Sequence, residues 1–318
     1  MAYFSIIYTY FCNNYLDYHI FNIISMNLHS RVIFSLALLG LMAAVTDMDA
    51  KVKVKFKPIE PDNHVIQIFA HRAGRFEFDE NTMDGFRKSY AAGNRGFETD
   101  IRFNKDEEIV LNHDESLKRT FGIDRECEDM TNDEIKAIRN PKGNPLAFCS
   151  ELADFLQDKP NMYVEWEIKT IKRLYDEARL ERLCEKAYNE IIPKKHPTSE
   201  YLFTSFDVRA LKIMHRLHPD VPLMLLKSKP VSKEIAQEAL DMGIYRLGCR
   251  VEGTTQKDVK AVREMGIKVV SLWPCASKEE FMLAAALGAD AINQDRPMAM
   301  TTWLKKGLPQ QKIKGFKY

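Results

Sequence analysis

The chain is 318 residues long, 45% hydrophobic and 29% charged, the composition of a globular protein with enough apolar material for a sizeable core. Its 46 Lys and Arg against 45 Asp and Glu leave a formal charge of +1. No global field draws such a chain to nucleic acid, which is set aside as a partner.

The first residues differ from the rest. "MNLHSRVIFSLALLGLMAAV", from Met26, has a short basic start, an apolar run of 14 residues from Val32 to Val45 and small residues at its end. This is the layout of a secretory signal peptide. The run is shorter than the roughly 20 residues a membrane span needs, so an N-terminal anchor is the second reading. Residues 1–48 are therefore read as a leader whose functional start is Met26, and the protein as exported, periplasmic or secreted. "KVKVKFKP" (51–58) alternates charge with apolar residues and reads as an edge strand capping the barrel described next.

From residue 64 onward, short β-branched or aromatic runs alternate with segments of helical period. "VIQIFA" (65–70), "FETDIRF" (97–103), "MYVEWEIK" (162–169), "YLFTSF" (201–206), "VPLMLL" (221–226), "YRLGCR" (245–250), "IKVVSLW" (267–273) and "ADAINQ" (289–294) are predicted strands. Helices are predicted over 82–93, 174–192, 207–217, 232–243, 255–266 and 277–288, several of them closing on Gly. Eight strands alternating with helices in about 250 residues predict an α/β fold of the (β/α)8 TIM barrel type, with an open doubly wound sheet as the alternative. The stretch 104–150 is too long for one connection and predicts a small insertion after the second strand, with an extra ribbon; the barrel domain is placed at 60–318. The Lys-rich tail from Lys305 reads as a solvated end, compatible with an anionic lipid surface without indicating one. Cys127, Cys149, Cys184, Cys249 and Cys275 lack framework or zinc spacing and read as small buried residues.

A barrel places chemistry at the C-terminal ends of its strands, where side chains two residues apart point the same way. Glu98 and Asp100 converge from one strand; Glu165, Glu167 and Lys169 share one face of "VEWEIK", with Trp166 and Ile168 facing the helices. That many carboxylates in one mouth repel unless a cation sits among them, and all-oxygen ligation suits Mg²⁺ or Ca²⁺. An internal salt-bridge cluster with Lys169 and Arg72 is the alternative. His71 follows the first strand in "FAHRAG", and His113 follows "IVLN". Two imidazoles beside a hard-cation site, with Arg72 and Lys169 to face a dianionic transition state, point to phosphoryl chemistry rather than acyl or glycosyl transfer. His196, His215 and His218 lie in polar or helical contexts and read as surface residues.

"AHRAGRFEFDENTMDGF", "FETDIRFNKDEEIVLNHDESLKRT", "VEWEIK", "TSFD", "VVSLWP" and "GADAINQDRP", in this order over roughly 66–300, resemble the signature segments of the glycerophosphodiester phosphodiesterase family. The resemblance implies a (β/α)8 barrel, a divalent metal ion, Mg²⁺ or Ca²⁺, and hydrolysis of a small glycerophosphodiester to glycerol 3-phosphate and an alcohol. It implies His71 and His113 as the acid/base pair and Glu98, Asp100 and Glu167 as metal ligands. Arg72 and Lys169 would contact the phosphate, and Trp273 would line the pocket. One histidine would deprotonate the nucleophile and the other protonate the leaving alcohol, with no assignment between them; a glycerol hydroxyl attacking first to give a cyclic phosphate is compatible with this.

Three positions depart from the family pattern: Asp79 where proline usually leads the "ENT" segment, "LWPC" in place of the commoner polar continuation after the tryptophan, and "NQDRP", which ends the eighth strand with Asn293 and Gln294 in place of an apolar-threonine pair. Glu80 is read as structural, and Glu165 as the partner of Arg72 or Lys169, with an extra metal ligand as its alternative. A phospholipase of phosphoinositide or sphingomyelinase-D-like type acting on intact lipid is the second functional reading, and a non-catalytic binding module the third. No feature of the sequence specifies an oligomeric state.

Overall fold

The structure, a computed structural model, describes residues 65–307 and the pair Ile313–Lys314. The predicted leader, the 51–58 stretch and most of the tail lie outside the described residues. In chain order the elements are β1 (Ile66–His71), α1 (Met83–Ala91), β2 (Gly96–Phe103), β3 (Ile109–Leu111), α2 (Lys118–Phe121), α3 (Asn132–Ala137), α4 (Cys149–Leu156) and β4 (Tyr163–Ile168). They continue as α5 (Glu177–Ile191), β5 (Glu200–Ser205), α6 (Val208–Leu217), β6 (Leu223–Pro230), α7 (Lys233–Leu240), β7 (Arg246–Arg250), α8 (Gln256–Glu264), β8 (Val269–Cys275), α9 (Lys278–Leu287), β9 (Ala291–Gln294), α10 (Pro297–Gly307) and β10 (Ile313–Lys314).

Eight strands, β1, β2 and β4 to β9, pair in parallel from neighbour to neighbour, and β1 bonds to both β2 and β9. The sheet is thus closed, and the predicted (β/α)8 barrel is the architecture. Parallel strands covered by helices outside and packed inside bury both faces. Accordingly Trp166, Ile168, Phe203 and Val164 sit in the large outer core against the helices, while Phe69, Tyr163, Leu202, Met224 and Leu226 fill the barrel interior. The short β10 adds in parallel beside Ile66 and Gln67.

Local sequence explains the helix starts. Thr82, Asp176, Asp207, Ser232, Thr255 and Ser277 each accept a backbone N–H of the first turn, supplying the partner that a helix start lacks. At the far end of α9, Gly288 takes a left-handed φ of 90°, which a side chain would resist.

The segment between β2 and β4 is the predicted insertion. Its ribbon is β3, antiparallel to β2 with Ile101 opposite Leu111. Its own small core gathers Val110, Leu117, Phe121, Cys127, Met130, Ile135 and Leu146. It is locked to the barrel by Arg102 of β2, fully buried, whose Nε lies 3.0 Å from Glu128. Four helices, α2, α3, α4 and α10, were not among the predicted elements: the first three are short, and α10 opens directly from the "DRP" turn. All five cysteines of the described residues are free and buried, as expected. Among the described residues no helix is long and apolar enough to cross a membrane.

Candidate active site

Strand register assembles the site. His71, the last residue of β1, lies beside Glu98 of β2; Glu98 in turn lies beside Glu165 of β4, and Asp100 beside Glu167. Alternation along β2 and β4 turns all four carboxylates inward, toward the C-terminal mouth. Carboxylate oxygens of Glu98, Asp100 and Glu167 lie within 4.8 Å of one another. His113 arrives from the insertion, because Asn112 just ahead of it donates its backbone N–H to the carbonyl of Asp100 at 3.1 Å. His71, Arg72, Glu98, His113, Glu167, Lys169 and Trp273 line one cavity of about 340 Å³, with Asp100 fully buried beneath them. All eight residues singled out in the sequence therefore converge.

The turn after β1 holds the cations in place. Arg72 and Ala73 take left-handed φ values of 51° and 70°, a costly conformation for non-glycine residues. Gly74 follows at 97°, and a side chain there would come within 2.7 Å of Pro297. This turn aims the Arg72 side chain back across the mouth, 3.3 Å from Asp100, and lets its backbone N–H donate to Glu98 at 3.1 Å. The neighbouring "ENT" divides its work: Glu80 meets Arg72, Asn81 donates to Asp100 at 2.8 Å, and Thr82 caps α1. Lys169 stands 2.7 Å from Glu167 and 3.4 Å from Asp100.

These contacts set the charges. Burial would push Asp100 up, but Lys169 and Arg72 outweigh it and hold this carboxyl well below its usual range. Burial, with Asp100 and Glu167 alongside, holds Glu98 well above it. Three carboxylates face only two cations; Glu98 Oε1 is buried without a hydrogen-bond donor, and buried Asp100 Oδ1 has only the Lys169 ammonium at 3.4 Å. Bare, buried, converging oxygens in excess of the local positive charge are the donor set a hard divalent cation takes, so these residues fit such a metal.

Each histidine is hydrogen-bonded through Nδ1, and Nε2 of His71 also lies 3.7 Å from Glu98 Oε2. Nδ1 of His71 lies 2.5 Å from Asp295 Oδ1, and Nδ1 of His113 lies 2.7 Å from Asp114 Oδ1. Each carboxylate can only accept, so Nδ1 carries the proton in both rings and Nε2 is left for chemistry. Burial lowers both imidazoles below the ordinary value, that of His113 to about 4, against the upward pull of Asp295 on His71 and of Asp100 on His113.

Trp273 on β8 meets Phe206 edge to face at 5.6 Å and 86°, and its buried Nε1 has no protein partner. One sequence expectation fails. Glu165 pairs with neither Arg72 nor Lys169: it accepts the Tyr163 hydroxyl at 2.6 Å, and burial pushes its carboxyl up to about 8. Two residues along a strand are roughly 6.7 Å, which sets Glu165 one layer deeper than Glu167 and beyond those cations.

Sequence reading also passed over Asp295 and Asp114, although both stood in the quoted segments "NQDRP" and "NHD". Asp295 additionally takes a two-pronged contact from Arg75, 2.7 Å at each oxygen. Its place just after the last barrel strand was the available signal, since barrel closure brings that strand beside β1.

Comparison with known proteins agrees with this geometry. A family model described as the glycerophosphoryl diester phosphodiesterase family matches residues 71–299. The chain is 27% identical over 245 residues to the protein YqiK of Bacillus subtilis, covering 75% of this chain and 98% of that one. It is 25% identical over 250 residues to a glycerophosphodiester phosphodiesterase of Caldanaerobacter subterraneus, covering 76% and 98%. Among solved structures, an Oleispira antarctica phosphodiesterase in complex with the product sn-glycerol-3-phosphate superposes with a TM-score of 0.69 at 18% identity, covering 76% and 97%. With a family model matching most of its length, this chain belongs to the glycerophosphoryl diester phosphodiesterase family.

Proposed function

We propose that this protein hydrolyses small glycerophosphodiesters to sn-glycerol 3-phosphate and an alcohol, with a divalent cation, Mg²⁺ or Ca²⁺, and with His71 and His113 as the acid/base pair. The observation that carries the reading is the meeting, in one cavity, of the carboxylates Glu98, Asp100 and Glu167 with two imidazoles, each hydrogen-bonded to a carboxylate through Nδ1, with Nε2 of His71 3.7 Å from the Glu98 carboxylate. Family membership and the product-bound relative of the same fold support the substrate class.

A cation held by those three carboxylates would supply fixed positive charge to the phosphate. Arg72 and Lys169 add two permanent donors on the same side, and because they are already held by ion pairs they need little reorganisation as charge develops. Nε2 of one histidine accepts the proton of the attacking group, either water or a glycerol hydroxyl whose cyclic phosphate water then opens; the other imidazole, charged once the anionic substrate is bound, gives a proton to the leaving alcohol. Trp273 offers its ring and its unpartnered Nε1 to the glycerol or to the leaving group. We place this activity outside the cytoplasm, through the leader of residues 1–48, with the catalytic domain at 60–318; N-terminal sequencing of the mature protein tests that placement.

The testing experiment follows release of glycerol 3-phosphate from glycerophosphocholine and glycerophosphoethanolamine, with EDTA, Mg²⁺ or Ca²⁺, beside His71→Ala and His113→Ala. Metal-dependent release lost in both variants is the expected result. Cleavage of an intact phospholipid with no glycerol 3-phosphate released from either substrate would overturn the substrate assignment.

A further inference from the structure

Arg119 lies on α2, in the insertion, and its side chain is nearly half exposed. It touches none of the carboxylates that gather in the cavity. Yet every edge of its guanidinium is in use. Nη1 and Nη2 each lie 2.7 Å from an oxygen of Glu80, and Nε lies 2.6 Å from Asp114 Oδ2. The other oxygen of Asp114 takes Nδ1 of His113, and Glu80 Oε1 lies 3.4 Å from Arg72.

We propose that Arg119 is a positioning residue: through Asp114 it fixes the ring of His113, and through Glu80 it fixes the guanidinium of Arg72. The proposal rests on the function given above for those two residues. Two carboxylates flanking one cation would repel each other without it, and each would be free to turn away from the group it orients. A guanidinium is suited to this because it is planar and presents three donors in two directions at once. An ammonium reaches one carboxylate well, not both.

The alternative is that Arg119 merely staples the insertion to the barrel. An exposed ion pair of that kind contributes little to stability and leaves the histidine untouched. The two roles separate in Arg119→Met and Arg119→Lys, read in three ways. The first is the tautomer and titration of the His113 ring by nitrogen NMR without substrate, its signals assigned from His113→Gln. The second is kcat and KM on glycerophosphocholine with metal. The third is the thermal midpoint.

For Arg119→Met the expected result is a folded protein in which His113 loses its fixed Nδ1–H tautomer and its titration moves. Its kcat should fall about 10- to 100-fold, as when outer partners of a site ligand are removed, with Arg119→Lys in between. An unchanged His113 tautomer and titration, or a kcat within about twofold of the parent, would overturn the proposal. Should Arg119→Met fail to fold, Arg119→Lys keeps the charge and decides by the same readouts. If the parent protein releases no glycerol 3-phosphate, the functional reading falls while the NMR comparison still decides the role of Arg119.

Discussion

Nδ1 of His71 lies 2.5 Å from Oδ1 of Asp295, joining the last residue of β1 to the residue that follows β9, 224 positions away. The contact spans the seam at which the barrel closes. It makes the tautomer of a site imidazole depend on closure of the whole sheet.

Asp295→Asn is expected to leave the fold intact, since an amide fits the same space and can still accept from Arg75. It removes the charge that holds the Nδ1–H tautomer, so kcat should fall about 100-fold or more, by analogy with other carboxylate-oriented histidines. KM should change little, because Asp295 does not line the cavity. Steady-state kinetics beside a thermal melt checks this; an unchanged kcat would remove His71 from the proposed proton transfer.

Mg²⁺ or Ca²⁺ should raise the thermal midpoint of the parent protein, because a ligand that binds only the folded state stabilises it by mass action. Asp100→Asn should abolish that rise. It leaves Arg72 and Lys169 with less negative charge between them, so its own midpoint without metal should drop, by about 3 kcal/mol in stability, as when one partner of a buried pair is removed. Differential scanning calorimetry with EDTA or metal reads both effects. An equal metal-induced rise in the variant would rule out Asp100 as a ligand.

Acid should destabilise the protein partly through His113. Burial lowers its imidazole to about 4 in the folded state, against 6.5 as the ordinary value. Between those values the unfolded chain binds the extra proton, so stability is whole above about pH 6.5 and is lost as pH falls toward 4. The lowered imidazole of His71 acts in the same direction. In His113→Gln the slope of stability between pH 6.5 and 4 should be shallower, by about 1–2 kcal/mol over the window. Urea melts at pH 4.5, 5.5 and 7 measure it, and parallel slopes would contradict the prediction.

Asp79 occupies the departure from the family pattern, and the structure explains its presence. Its Oδ2 accepts from Asn140 and from Asn144, 2.6 Å each, so it pins the insertion to the turn after β1. Asp79→Ala should cost about 1–3 kcal/mol, the range for losing hydrogen bonds to a charged acceptor. Hydrogen exchange should quicken around residues 138–146 and stay unchanged in the barrel strands. Uniform acceleration, or none, would refute this pin.

The sequence by itself determined the barrel and most of the site. Side-chain alternation is a local property of a strand, so "FETD" and "VEWEIK" announced that Glu98 would face the way Asp100 does, and Glu167 the way Lys169 does. Helix starts were legible for the same reason, since a Ser, Thr or Asp before an apolar period satisfies backbone donors a few residues away. Register is not local. That Glu98 stands beside Glu165, Asp100 beside Glu167 and His71 beside Glu98 depends on where strands slide to rest in the closed sheet. The same holds for side chains far apart in the chain. Asp295 reaches His71, and Arg119 reaches Glu80 across 39 positions, only because folding brings their elements together. Glu165 shows the limit most clearly: its facing and its layer were readable from the strand period, whereas its partner, Tyr163 in place of Arg72 or Lys169, was decided by which side chains the closed barrel brings within reach of that layer.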